Sequence, residues 1–379
     1  MPTASLPTRQ LGKDGPQVTA IGFGLMGLSA FYGKVGSDEE RFKVLDRAYE
    51  LGETFWDSKC ADMYGDSEDL VGKWFARTGK RNDIFLATKF ANVQRDGQWA
   101  VDSSPEWCKE ACAKSLKRLG VDCIDLYYWR VPGFDESYLD NVTNDCPYSH
   151  RIDKTTPIEK TMEALVELKK YAISHLSVTK RSPHPILSEG KIKYIGLSEV
   201  SEATLRRAHA VHPVHCVQME YSPFSLEVEQ FGLLKACREL GVAMVAYSPL
   251  SRGILTGQIK SPDDFDADDF RKYSPRYSKE NFGKNLEAVH TMNEIATRKG
   301  CTVGQLSLAW LLAQGPDVIP IPGTKKIKYL EENVAALKVE LSADEEKEIR
   351  GVLEKSKVAG DRYPSAWLNG LFADSAPLK

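Results

Sequence analysis

Asp57, Tyr64 and Lys89 are the residues whose types and spacing point most directly to chemistry. Asp57 closes a short apolar run, Tyr64 follows it in a connecting loop, and Lys89 stands inside the apolar run IFLATKF. An ammonium in such a run must find a partner or lose its proton. Asp57, at the end of the neighbouring strand, is the partner the sequence offers. A phenol has an ordinary pKa of ~10, and a nearby ammonium favours the phenolate and lowers that value. A phenol tuned in this way can give a proton to a carbonyl oxygen that is receiving a hydride. The alternative is a strand-end lysine whose stem lies on apolar surface while its head reaches water, with Tyr64 an ordinary loop residue. Spacing alone leaves both open.

Such a constellation needs a scaffold that gathers strand ends. Strand-like runs occupy 18–24, 53–58, 83–90, 123–129, 192–199, 214–221, 242–250 and 317–323. Amphipathic helical runs lie at 38–51, 67–77, 104–120, 157–171, 201–210 and 229–240, followed by a helical region over 284–314 and helices at 329–337 and 342–356. Ser67 and Ser201 precede acidic first turns and read as N-caps, Ser104-Pro105 as a cap and first helical residue, and Gly120 as a stop. Nearly continuous apolar strands alternating with helices predict a parallel sheet covered by helices. Eight units predict an α/β fold, a (β/α)8 TIM barrel. Chemistry in that fold belongs at the C-terminal strand ends.

Other features bound the reading. Gly22-Phe23-Gly24-Leu25-Met26-Gly27 fits a dinucleotide fingerprint, but that motif needs a helix opening at its third glycine, and the next helical run begins only near Asp38. The glycines read instead as a tight strand exit. Lys+Arg total 50 against 53 Asp+Glu, a net charge of -3, which gives no electrostatic reason to expect nucleic acid or an anionic membrane. No run of ~18 apolar residues appears, and the first residues lack the apolar stretch of a signal peptide. The expectation is a cytoplasmic protein whose eight cysteines are reduced thiols rather than disulfides or zinc ligands.

Several motifs together resemble the aldo-keto reductase family over nearly the whole chain: GFGLMGLS (22–29), FWDS…ADMYGDSED (55–69), ATKF (87–90), GLSEVS (196–201), VQMEYSPFS (217–225), AYSPLSRGILTG (246–257) and IPIPGTKKIKYLEEN (319–333). The chain is similar to the bacterial and fungal branch with GLSE in place of GLSN. The resemblance implies NADP(H)-dependent reduction of small aldehydes and ketones on a single (β/α)8 barrel domain over 1–379, with an N-terminal hairpin and extra C-terminal helices. It implies Tyr64 as the general acid, Asp57 and Lys89 as the pair that tunes it, and a histidine, matched by His150, that orients the carbonyl. It implies Tyr247 as the ring stacked on the nicotinamide, with Ser198 and Gln218 binding its carboxamide. Gly24 and Met26 match the first-strand loop that touches the cofactor. Ser248, Leu250 and Gly253 match the pyrophosphate segment, and Gly323, Thr324, Lys325, Lys326, Glu332 and Asn333 the adenosine 2′-phosphate region. The last assignment also has a physical basis, since a glycine turn leading to a helix N-terminus, flanked by lysines, suits a phosphate.

The sequence departs from the family at five points, the first being Leu25, where Thr is commoner. Glu199 stands where the resemblance expects Asn. Asp57 and Tyr64 are two residues further apart than in the family, Lys59-Cys60 being the extras. The segment 130–149 separates the fourth strand from His150, so that Trp129-Arg130 occupies the place of the expected histidine. A second added segment, 171–188, precedes the fifth strand. Both read either as true loops or as translated intervening sequence with Lys59-Cys60 a shifted junction, because the flanking motifs resume without a missing residue. A different class of function also stands: an NADP(H)-binding, reductase-like regulatory protein with little turnover. Phe31, Tyr32, Trp56 and Trp99 are candidates for an apolar substrate wall, and Trp367 for a tail closing over the mouth.

Overall fold

The computed structural model describes residues 4–59, 66–95, 98–130, 153, 155–170, 172–173, 187–188, 190–266, 269–368 and 370–378. Tyr64, Cys60 and His150 lie outside the described residues, as do the side chains of Trp99 and Trp367.

Eight parallel strands form one sheet: β1 (Phe23–Gly24), β2 (Phe55–Asp57), β3 (Phe85–Phe90), β4 (Ile124–Arg130), β5 (Ile192–Ser198), β6 (Cys216–Glu220), β7 (Ala243–Tyr247) and β8 (Val318–Pro320). Each strand pairs with the next in the chain. The sheet closes on itself, because the N–H of Gly22 donates to the Pro320 carbonyl at 3.0 Å and that of Gly24 to Pro322 at 3.2 Å. Glycine is required at this seam. A Cβ on Gly24 would lie 2.7 Å from the Ile321 carbonyl oxygen, and one on Gly323 2.5 Å from that of Gly24. The architecture is the (β/α)8 barrel that the alternating pattern predicts.

Strand periodicity sorts the side chains. Phe55, Ala87, Leu126, Tyr128, Cys216, Ala243, Val245 and Ile319 point inward and fill the barrel interior. Their alternates, among them Trp56, Leu86, Tyr127, Leu197, Val217 and Met244, pack against the helix layer. The antiparallel strands Thr8–Gln10 and Gln17–Thr19 form a hairpin whose Leu11 and Val18 join the interior cluster and plug it. The expected strand over 18–24 is therefore two elements, a hairpin strand ending at Thr19 and a two-residue barrel strand. The turn between them redirects the chain from the plug into the wall.

The helices that follow these strands are α1 (Asp38–Glu50), α2 (Ser67–Thr78), α3 (Pro105–Leu119), α4 (Ile158–Lys169), α5 (Glu202–Val211), α6 (Leu233–Leu240), α7 (Lys279–Lys299), α8 (Val303–Ala313), α9 (Ile327–Ala335) and α10 (Ala343–Ser356). Ser104 and Ser201 cap their helices, accepting from the N–H groups of Trp107 and Thr204, and Gly120 ends α3 in the left-handed region. Ser67 does not cap α2. It is the first helical residue, with its hydroxyl 2.9 Å from that of Ser58 in the interior. The helical run 229–240 breaks at Gly232, φ 76°, and α7 and α8 are separated by Gly300 and a capping box at Thr302. Only the one-turn helix Met26–Ser29 follows the glycine run of β1, so no dinucleotide-fingerprint helix is formed there. Cys108 and Cys112 lie buried on the core side of α3. Among the described residues, no helix is long and apolar enough to cross a membrane.

Candidate active site

Inward parity carried to the C-terminal strand ends brings polar side chains into one cavity of about 600 Å³. Asp57 follows Phe55, Lys89 follows Ala87, Arg130 follows Tyr128, Ser198 follows Gly196, Gln218 follows Cys216 and Tyr247 follows Val245, each two residues on. All six line the cavity. The register sets them side by side: Ser198 lies opposite both Arg130 on β4 and Gln218 on β6.

The floor is a buried ion pair. The Lys89 Nζ donates to Asp57 Oδ1 and also to the Ser58 carbonyl at 3.0 Å, with Lys89 4% and Asp57 6% exposed. The second oxygen of Asp57 accepts from Gln218 Nε2 at 2.8 Å. The ammonium also stands 5.0 Å from the centre of the Tyr128 ring. A charge pair this deep is stable only when further hydrogen bonds satisfy it, and Ser58 and Gln218 supply them. Lys59, read from the sequence only as an insertion, is 2% exposed and lines the cavity beside Asp57.

The opposite wall is the segment after β7. Ser248, Ser251 and Arg252 hold φ of 48°, 43° and 51°, the left-handed region that costs non-glycine residues about 1–3 kcal/mol each. The neighbours offset that strain. The buried Arg252 guanidinium pairs with Glu220 at 3.2 Å and donates to Ser274 Oγ at 3.0 Å and the Arg362 carbonyl at 2.8 Å. The Tyr277 hydroxyl donates to the Ser251 carbonyl at 2.7 Å. Burial first, then the Arg252 charge working against it, leaves the Tyr277 phenol pushed up to about 12. Tyr247 presents a half-buried ring to the cavity. Burial and then the adjacent Glu199 push its phenol well above the ordinary value, so the hydroxyl remains a donor.

The cavity continues to the turn after β8 and the N-terminus of α9. Gly24, Met26, Ser248, Leu250, Gly253, Gly323, Thr324, Lys325, Lys326, Glu332 and Asn333 all line it. Lys325 is engaged elsewhere than its sequence reading suggests. Its Nζ donates to the carbonyls of Tyr32, Gly33 and Lys34, tying down the loop after β1. Lys326 is exposed at the helix start, and its N–H donates to Thr324 Oγ1 at 3.1 Å.

Phe31 and Tyr32 line the cavity, joined by Phe270 and Tyr363. Tyr363, from beyond α10, carried no sequence signal; Arg252 lay inside the SPLSRG motif and could have been found there. Trp56 is not a wall residue. It points outward into the helix layer, its ring 4.7 Å from that of Trp74.

A family model described as the aldo/keto reductase family matches residues 20–354. The chain belongs to the aldo/keto reductase family. It is 50% identical over 380 residues to the aldo-keto reductase str7 of Strobilurus tenacellus, covering 98% of this chain and 99% of that one. It is 49% identical over 378 residues to an aldo-keto reductase of Schizosaccharomyces pombe, yakc, whose name specifies NADP(+), covering 99% of each. It is also similar to the solved holo form of an aldo-keto reductase from Bacillus halodurans, at 26% identity and a TM-score of 0.67, over 92% of this chain and 96% of that one. This aldo/keto reductase is thus an oxidoreductase acting on carbonyl compounds.

Proposed function

We propose that this protein reduces small aldehydes or ketones to alcohols with NADPH, with Tyr64 giving the proton and the reverse oxidation available. The observation that carries the reading is the buried Asp57–Lys89 pair at the floor of the same cavity that Ser198, Gln218 and Tyr247 line. The residues suit the cofactor in character: a seam of glycines too tight for a Cβ, a left-handed segment offering backbone groups, and a lysine at a helix N-terminus for a phosphate. NADPH supplies the hydride when bound. Tyr247 offers the ring face against which a nicotinamide stacks, and Ser198 and Gln218 offer polar groups to its carboxamide. Gly24 and Met26 line the approach, Ser248, Leu250 and Gly253 the pyrophosphate path, and Gly323, Thr324, Lys326, Glu332 and Asn333 the 2′-phosphate end. Lys325 serves by fixing the loop. Lys89, held by Asp57, stabilises the phenolate that Tyr64 leaves behind, and His150, if the chain returns it to the site, orients the carbonyl. The partner is a small carbonyl compound, and a cytoplasmic location belongs to the same proposal. The buried thiols of Cys108, Cys112, Cys216 and Cys237, packed as small apolar side chains, support a reducing compartment.

The test is the loss of NADPH absorbance with a panel of aldehydes. Turnover is expected, falling at least ~100-fold in Tyr64→Phe; equal rates for the two proteins remove Tyr64 from the mechanism. One observation favours a second reading, a cofactor-binding regulatory protein with little turnover: buried Arg130, not a histidine, stands at the inward end of β4. Tight NADPH binding without turnover across the panel would support it.

A further inference from the structure

Glu199, the acidic residue of the GLSE motif, has surroundings that give it a consequence. It sits at φ 57°, a region that Asn tolerates and Glu rarely adopts. It is 1% exposed. Its Oε1 accepts from the Tyr247 hydroxyl at 2.7 Å, and its Oε2 accepts from Arg362 at 3.4 Å. The Tyr363 hydroxyl stands 3.2 Å from that of Tyr247. Arg362 lies also 3.5 Å from Glu220 and 3.8 Å from Glu227. A carboxylate therefore holds the hydroxyl of the one aromatic ring among the strand-end residues of β5, β6 and β7, and an arginine from beyond α10 offsets its charge.

We propose that Glu199 is a positioning residue that, through Tyr247, makes the site favour oxidised over reduced nicotinamide, with Arg362 setting how strongly. The inference rests on the reading that Tyr247 stacks on the nicotinamide. The physical reason is the charge difference between the two cofactor forms. The oxidised ring is a cation and the reduced ring is neutral. A phenol donating to a buried carboxylate has a more electron-rich ring, and an electron-rich face attracts a cation more than a neutral ring. The carboxylate adds its own field in a site screened from water. Asn would hold the same backbone conformation and supply neither effect. Arg362 works in the opposite sense, because its charge reduces the field that Glu199 projects.

The opposed signs make the test. The dissociation constants of NADP(+) and NADPH are measured separately by titration calorimetry for the full-length protein and its variants. Glu199→Gln and Glu199→Asn should weaken NADP(+) binding by roughly 5- to 30-fold relative to NADPH. Arg362→Gln should shift the ratio the other way, and Arg362→Lys should restore it. The Asn variant suits the left-handed backbone, so it keeps the test open if Gln disturbs folding. Equal losses for both cofactors would overturn the inference and leave Glu199 a purely structural residue. Binding of neither form by the unaltered protein would instead overturn the proposed function, and the inference with it.

Discussion

At the scale of single residues, the Asp57–Lys89 pair is proposed to govern both stability and rate. Removing one member of a buried pair leaves a charge in a low-dielectric interior, which costs about 3–5 kcal/mol. Lys89→Met should therefore lower stability by that order and abolish measurable turnover. The double variant Asp57→Asn, Lys89→Met should recover most of the stability, because no uncompensated charge remains, while turnover stays lost. Thermal unfolding beside the NADPH assay checks both. A double variant as unstable as the single one would mean that shape, not charge, holds the site together. This pair was legible in the sequence, since a lysine inside an apolar strand demands a carboxylate and Asp57 ended the neighbouring strand. The contacts around it were not. Gln218 meets Asp57 across 161 residues and Arg362 meets Glu199 across 163. Such contacts arise from the closure of the barrel, which no local pattern encodes.

At the scale of elements, the loop after β1 and the start of α9 put two neighbouring lysines in different settings. Lys325 is bound to three backbone carbonyls of the loop over Tyr32–Lys34, and Lys326 is exposed at the helix N-terminus. Lys325→Met should release the loop and weaken NADP(H) and NAD(H) binding alike. Lys326→Met should remove a charge-assisted contact to the 2′-phosphate alone, worth about 1.5–3 kcal/mol, and so cut the preference for NADP(H) by roughly 10-fold or more. Dissociation constants for the two cofactors in each variant decide the matter; identical selectivity in Lys326→Met would move the phosphate site elsewhere. The sequence singled out this glycine-lysine turn as a phosphate site, and the turn lines the cavity. It did not separate the two neighbours, because the partner of Lys325 lies 291–293 residues away in the chain. Helix limits were legible to within a few residues, since caps and glycine stops are local. The first barrel strand was not, because one apolar run serves both the plug and the wall.

At the scale of the whole molecule, the reading of one barrel carrying added segments at 130–149 and 171–188 is a proposal that two deletions test. The segment 171–188 leaves and rejoins the fold at one point. Ala172 pairs with Ser188 and Ile173 with Leu187 in an antiparallel neck, and the Lys191 N–H donates to the Leu168 carbonyl at 2.8 Å. The end of α4 thus meets the start of β5 without it. This junction is at the N-terminal end of the strand, away from the cavity, and shortening a loop there changes closure entropy by only about 1 kcal/mol. Deleting 171–188 should leave cofactor affinity unchanged and the melting temperature unchanged or higher; an insoluble product would mean the segment belongs to the fold. Deleting 130–149 should act differently. It joins His150 directly to Trp129 and so gives it position 130, which has inward parity on β4, faces the cavity and lies opposite Ser198. A histidine there would share the cavity with Asp57 and Lys89. Turnover should rise by about 100-fold with little change in cofactor affinity, whereas an unchanged rate would show that the fourth strand's end takes no part in the chemistry. Sequencing the spliced message then decides whether the cell makes the longer or the shorter chain.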